Sequence, residues 1–178
     1  NLIYSLKKSE GKRVIHIFDQ QDTHVEKIKK TPKKIISNWM YANSIHLIDY
    51  VSILARGKFK KINLIYRNKN ELSCVISFTS GDIVNYIARW NKPGPWEVKI
   101  STNNFYYELS PLEILKIRSN KDRNFKIFEN TLIDKKFKTG FKLQIDNLFL
   151  ASAGIQNKLP SLEKLEFTMK LIKKIYSL

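Results

Sequence analysis

Branched and aromatic residues come in short runs through the middle of this chain, separated by residues that favour turns. Residues 62–66, 72–78, 83–90, 96–101 and 105–109 are such runs, with Asn68, Asn70, Gly81, Asp82, Pro93, Gly94, Asn103 and Asn104 between them. Branched and ring-bearing side chains fit the pleated surface of a strand, whereas Gly, Pro, Asn and Asp supply the backbone angles of tight turns. The pattern predicts five successive strands, and connections this short predict antiparallel neighbours. An earlier run at residues 13–19, Arg-Val-Ile-His-Ile-Phe-Asp, reads as a strand on the same grounds. A polar, Lys-rich connection at 20–34 follows it, and Pro32 argues against a helix running through.

Helical spacing takes over elsewhere. Ile45, Leu47, Ile48, Val51, Ile53 and Leu54 cover more than one face of a helix, which predicts a buried element. Asn43 or Ser44 can cap its start, and Gly57 just past Arg56 is a stop signal. Two helices close the chain, one at about 140–151 and one after the N-cap residue Ser161. In the last, Leu162, Leu165, Met169, Ile172 and Tyr176 make one apolar stripe, which predicts packing against the sheet. The order of elements predicts an α+β fold, an open, largely antiparallel β-sheet with helices packed on one face. The other face is then left to a partner or to water.

Composition changes this picture little. A chain of 178 residues, 43% hydrophobic, buries a full core as one domain. The single Cys74, in an apolar strand, excludes a disulfide framework within the chain and points to a reduced, cytoplasmic setting. No apolar run reaches membrane-spanning length. Residues 1–6 are too short for the apolar core of a signal peptide, and the first residue is Asn, so the sequence reads as cut from something longer. A net charge of +16 raises the question of nucleic acid. The lysines are dispersed, however, as in Lys58, Lys60, Lys61, Lys116, Lys173 and Lys174, which reads as a compositional bias more than a nucleic-acid footprint. A positive field of this size would still draw anionic small molecules such as sugar phosphates or nucleotide sugars.

The segment 38–50, Asn-Trp-Met-Tyr-Ala-Asn-Ser-Ile-His-Leu-Ile-Asp-Tyr, sets His46 and Asp49 three residues apart on one helical face. No Gly-x-Gly-x-x-Gly follows a strand anywhere. Further along lie Tyr-Glu-Leu-Ser-Pro-Leu-Glu at 107–113, Phe-Lys-Thr-Gly-Phe-Lys-Leu-Gln at 137–144 and Leu-Pro-Ser-Leu-Glu at 159–163. In this order and spacing, from about Gly11 to the end, the segments resemble the substrate-side half of the Gfo/Idh/MocA family. These are nicotinamide-dependent oxidoreductases that act mainly on sugars, cyclitols and sugar nucleotides. The resemblance implies a C-terminal substrate-binding and oligomerisation domain whose dinucleotide-binding domain is absent from this sequence, with residues 2–8 ending the helix that links the two. It implies NAD or NADP in the parent protein, bound mainly by the missing domain with its Glu-Lys-Pro segment, and no cofactor for this chain alone. It also implies a homo-oligomer formed through the open sheet face, to which Tyr86, Trp96, Phe105 and Tyr107 would contribute, unless these aromatics fill the core.

For the site, the resemblance makes His46 the acid–base group, and Asp49 a carboxylate that orients the imidazole or simply faces solvent. Relatives often carry Asp four residues before this His, where the present chain has Ala42, so that role is vacant or passes to Asn43. Asn43 would hydrogen-bond a substrate hydroxyl or cap the helix. Trp39 and Tyr41 would stack on a sugar ring or pack in the core. Arg89, Trp90 and Lys138 would meet substrate groups, or form ion pairs and core contacts. His16 and His24 lack the neighbours of a metal site, so no metal is expected. Two other classes stand beside the oxidoreductase: a noncatalytic binding module of the same fold, favoured by Ala42, and a basic polyanion-binding domain.

Overall fold

Alternation with a period of two sorts the first strand, β1 (Val14–Gln21), into a buried row, Ile15, Ile17 and Asp19, and a half-buried row, His16, Phe18 and Gln20. The computed structural model describes residues 2, 6, 11–21, 30–128, 132–137 and 139–177, with the backbone alone for Lys135. After Pro32 come a short helix α1 (Lys33–Ser37), a π-helical turn (Met40–Ser44) and helix α2 (Ile45–Leu54). Strands β2 (Phe59–Arg67), β3 (Glu71–Phe78), β4 (Ile83–Trp90), β5 (Trp96–Ser101), β6 (Phe105–Leu109), β7 (Leu115–Ser119) and β8 (Lys126–Phe128) follow. Helices α3 (Leu132–Lys136), α4 (Phe141–Ser152) and α5 (Leu162–Tyr176) end the chain.

The strands form one open sheet in the order β2-β3-β4-β1-β5-β6-β7-β8. Among the described residues every pairing is antiparallel except β1 with β4, which run parallel from Val14↔Ile83 to Gln21↔Trp90. One face is covered. Leu47, Ile48, Val51 and Leu54 of α2 and Leu171, Ile172 and Ile175 of α5 complete a core with the buried rows of β1, β3, β4, β5 and β6. The α+β architecture predicted from the sequence is therefore the one observed.

Several elements differ from expectation. Strands β7 and β8 and helices α1 and α3 were not predicted: each is five residues or fewer, too short for a periodicity to show. Ser44 makes no side-chain cap, because the chain enters α2 already wound in the π-helical turn, and Asn43 hydrogen-bonds elsewhere. Helix α2 ends at Leu54 with Ala55 extended, three residues before Gly57, whose φ of +76° belongs to the turn into β2. There an added Cβ would stand 2.8 Å from the backbone nitrogen of Ser80. Ser161 does cap α5, accepting from the Lys164 backbone. The buried side of α5 is Thr168, Leu171, Ile172 and Ile175, while Leu162, Leu165 and Met169 of the expected stripe are exposed. Tyr86, Trp96, Phe105 and Tyr107 all lie on the helix-covered side, Tyr86 opposite Ile17 and Trp96 opposite Asp19, so these aromatics belong to the core layer and not to the open face.

One ionic cluster pins the start of the sheet. Asp82, fully buried, accepts from the backbone N–H of Arg13 and of Arg56, each at 2.9 Å, and from the Arg56 guanidinium at 2.8 and 3.0 Å. The Arg13 guanidinium donates to the carbonyls of Leu54 and Leu6, each at 2.7 Å. Burial pushes the Asp82 carboxyl up, but the donors from Arg56 and Arg13 outweigh it and hold the group below its ordinary value. A carboxylate lowered in this way contributes stability above its unfolded value and loses it as the pH falls through the folded one. Removing the acceptor strands a guanidinium and two backbone donors, so Asp82→Ala should cost about 3 kcal/mol in urea unfolding near neutral pH. A loss under about 1 kcal/mol would show that the cluster does not hold the fold.

Candidate functional site

Two contacts, one just before α2 and one at its end, tie it to β1 and the residue preceding β1. At the start Asn43 Nδ2 donates to Gln21 Oε1 at 2.9 Å, and at the end Leu54 O accepts from Arg13. The helix therefore opens where β1 and β4 finish. Leu47, Ile48, Val51 and Leu54 turn inward, which leaves His46 exposed and Asp49 half-buried. Asp49 Oδ1 accepts from Thr168 Oγ1 of α5 at 2.7 Å. Thr168 is buried and fixes the carboxylate on the helix pair. Among the described residues no hydrogen bond joins Asp49 to the imidazole, so His46 presents its ring to the outside one turn ahead of an anchored carboxylate.

A second group of side chains lies beneath the same end of the sheet. Tyr86 donates to Asp19 Oδ2 at 2.7 Å, and its oxygen is 2.7 Å from that of Tyr176. Trp90 stacks on Tyr176 with ring centroids 5.4 Å apart. Ser44 Oγ, Trp90 Nε1 and Asp19 Oδ1 are buried without closing a hydrogen bond. Burial pushes the Asp19 carboxyl up, and nearby Ser44, Tyr86 and Trp90 only partly oppose this. The Tyr86 and Tyr176 hydroxyls are also pushed up, chiefly by burial.

Above this network opens a cavity of about 1140 Å³. Trp39, Met40, Leu72, Trp90 and Tyr176 are among its walls, and Lys33, Arg67, Asn68, Lys69, Asn70 and Asn91 reach it from the rim. Glu71 also lines it, but is engaged by Lys92 at 2.6 Å and Arg89 at 3.0 Å, which hold its carboxyl down to about 2.

Of the residues singled out in the sequence, Trp39 and Trp90 wall the cavity. Trp39 is buried and its indole nitrogen has no hydrogen-bond partner among the described residues. Tyr41 is 41% exposed and outside the cavity. Arg89 reaches it only through its ion pair with Glu71. Ala42 lies exposed in the π-helical turn, so no carboxylate stands at that position. Lys138, His24 and most of the linking helix expected at 2–8 lie outside the described residues. Among the described residues no group of His, Cys, Asp and Glu could hold a metal ion, and burial pushes the Cys74 thiol up to about 12, far from a nucleophilic thiolate. Thr168, Asp19 and Tyr176 were not anticipated. Only Asp19 left a trace in the sequence: alternation puts it in the same row as Ile15 and Ile17, a charge on a buried face.

No family model matches the sequence, and no curated protein matches it. Solved structures do. UDP-N-acetylglucosamine 3-dehydrogenase GnnA from Acidithiobacillus ferrooxidans superposes with a TM-score of 0.75 at 10% identity, over 98% of this chain and 56% of that one. Levoglucosan dehydrogenase in complex with NADH and levoglucosan gives 0.71 at 13% identity, over 98% and 58%. An NAD-binding oxidoreductase from Klebsiella pneumoniae gives 0.73 at 11%, over 99% and 60%. The fold is thus that of part of the Gfo/Idh/MocA-type dehydrogenases, and the chain spans little more than half the length of the structures it matches.

A pH prediction follows from Asp19. Because its folded value is raised above the ordinary 3.8, the stability it contributes is complete below that value and is lost as the pH rises through the folded one. Asp19→Asn keeps an acceptor for Tyr86 and removes the titration. Its melting temperature should hold steady across that interval while the parent's declines. Parallel profiles for the two proteins would show that Asp19 titrates normally.

Proposed function

We propose that this chain is the substrate-binding and oligomerisation part of an NAD(P)-dependent oxidoreductase acting on a sugar, sugar phosphate or nucleotide sugar. The observation that carries the reading is the exposed His46 imidazole beside the Thr168-anchored Asp49, on a fold shared with dehydrogenases whose names specify sugars and nucleotide sugars. Relatives of this type oxidise a carbinol by losing hydride from carbon and a proton from oxygen. His46 would take that proton on a ring nitrogen, and return it in the reverse direction. Asp49, held by Thr168, would supply negative charge one helical turn from the ring that gains the proton.

A nicotinamide would act as the hydride acceptor, but the described residues do not fit a dinucleotide. No strand among them runs into a glycine-rich turn that opens a helix, and the one parallel pairing, β1 with β4, lacks the phosphate-binding turn of a dinucleotide fold. A separate domain would hold it. Two surfaces support further partners. Phe141, Leu143, Ile145, Leu148 and Phe149 of α4 are all exposed, an apolar surface of the kind that a domain or subunit covers. The open sheet face, with Phe18, Val75 and Ile87 half-buried among ion pairs such as Lys99–Glu97 and Lys116–Glu108, is the surface proposed for contact between copies.

Ala42 favours a second reading, a noncatalytic binding module of the same fold, because the π-helical turn brings no carboxylate to that position. Kinetics separates the two. In the protein joined to its cofactor domain, His46→Ala should lower kcat by about 100-fold or more, the usual worth of a positioned acid–base group, with cofactor affinity unchanged. Turnover equal to the parent would remove His46 from the mechanism.

A further inference from the structure

Alternation sends His16, Phe18 and Gln20 of β1 to the open face of the sheet, and register sets Asn85 of β4 and Lys99 of β5 on either side of His16. The imidazole is half-buried. It stacks with Phe18, ring centroids 6.3 Å apart and planes 15° apart, while Lys99 Nζ stands 5.5 Å from the centre of the same Phe18 ring. Asn85 Nδ2 lies 3.5 Å from His16 Nδ1, which a neutral ring can offer as an acceptor. Other charged and titratable groups face it from further off. On β5 Glu97 holds Lys99 at 2.6 Å. On β6 Glu108 lies opposite Lys99 and Tyr106 opposite Ser101, with Glu108 held by Lys116 of β7 at 2.8 Å. On β4 Arg89 stands opposite Gln20 and pairs with Glu71 of β3. Among these groups, His16 is the one whose ordinary titration range lies near neutral pH.

Charge decides what can settle on this face. With a net charge of +16, two copies of the chain repel each other. On the open face, however, Glu71, Glu97 and Glu108 each hold a base, and the half-buried side chains of Phe18, Val75 and Ile87 lie among these pairs. Two copies can therefore meet here with less repulsion than the whole chain's charge implies.

We propose that the contact between copies carries a pH switch at His16: the copies associate through the open face while the imidazole is neutral and part when it gains a proton. The inference rests on the reading of this face as an oligomer contact and adds its regulation. On each copy the proton would place a second cation beside Lys99, on a face from which the partner excludes water. It also turns Nδ1 from an acceptor into a donor against the Asn85 amide. Burial, and after it Lys99, already hold the imidazole of the uncovered chain below its ordinary 6.5, and a covering copy lowers it further. The uncovered chain thus binds the proton more readily. Association is then complete above 6.5 and weakens as the pH falls through the uncovered chain's value.

Sedimentation equilibrium of the 178-residue chain at about pH 7.5 and about pH 5.0, in roughly 0.15 M salt, tests it. The chain should sediment as a multiple of 20.9 kDa at the higher pH and lose at least tenfold in association constant at the lower one. His16→Gln keeps a polar amide that gains no proton, and should associate about equally at both. His16→Lys, charged throughout, should associate weakly at both. An equal loss in His16→Gln, or no loss in the parent, overturns the switch and leaves the oligomer contact standing. A chain that sediments at 20.9 kDa under both conditions overturns the contact itself, and the switch with it.

Discussion

The rest of the molecule depends on the carboxylate of Asp82. It stands one residue before β4 and accepts from the backbone of Arg13, one residue before β1, so it sets the register in which the parallel pair of β1 and β4 begins, Val14 opposite Ile83. Through Arg56 it also fixes the segment that leaves α2, while Arg13 caps the same helix at Leu54. Such capping replaces the missing partners of a helix end with a cation placed where the helix dipole is negative. A buried cluster of this kind adds little by attraction alone, because taking the charges from water is costly. What it adds is geometry: three chain segments with no local reason to meet are held in one arrangement.

From that arrangement the site follows. With its last carbonyl held at the start of β1, α2 must open at the other end, where Asn43 meets Gln21. There the π-helical turn shifts the phase of the helix before Ile45, so that Ser44 is buried beside Tyr86 and Tyr176 while His46 faces out. Thr168 then fixes Asp49 from the second helix. The aromatic cavity lies at this same end of the sheet because Trp90 ends β4, Arg67 ends β2 and Glu71 begins β3. Scaffold and site are thus two consequences of one clasp acting at the opposite end.

The parts of this arrangement legible in the sequence are those written in local periodicity. Runs of branched and aromatic residues marked β1 to β6, apolar positions on more than one face marked α2, spacings of three and four marked α5, and α4 was placed at about 140–151, which sufficed for the α+β class. The three-residue spacing of His46 and Asp49 placed them on one helical face. What the sequence does not show is set by distant pairing. The bond from Asp49 to Thr168 spans 119 residues and the Tyr86–Tyr176 contact 90. The cavity is assembled from residues at 31–40, 67–72, 90–91 and 176, none of which forms a motif alone. The sides of the sheet were equally hidden: alternation assigns Tyr86, Trp96, Phe105 and Tyr107 to rows, and only the packing of α2 and α5 decides which row is covered. The apolar stripe of α5 misled for a related reason, since Leu165 and Met169 satisfy the spacing but stay exposed, while Thr168, Leu171, Ile172 and Ile175 form the buried side.

The measurement that bears most directly on the account is the coding sequence upstream of the codon for Asn1. If the chain is the substrate-side part of a two-domain oxidoreductase, the same frame continues through about 100–150 further residues, the size of one more domain. It then encodes a strand running into a Gly-x-Gly-x-x-Gly turn and, further on, a Glu-Lys-Pro segment. A frame that opens at or next to Asn1, with no such segment before it, contradicts the account and leaves a binding domain without redox chemistry of its own.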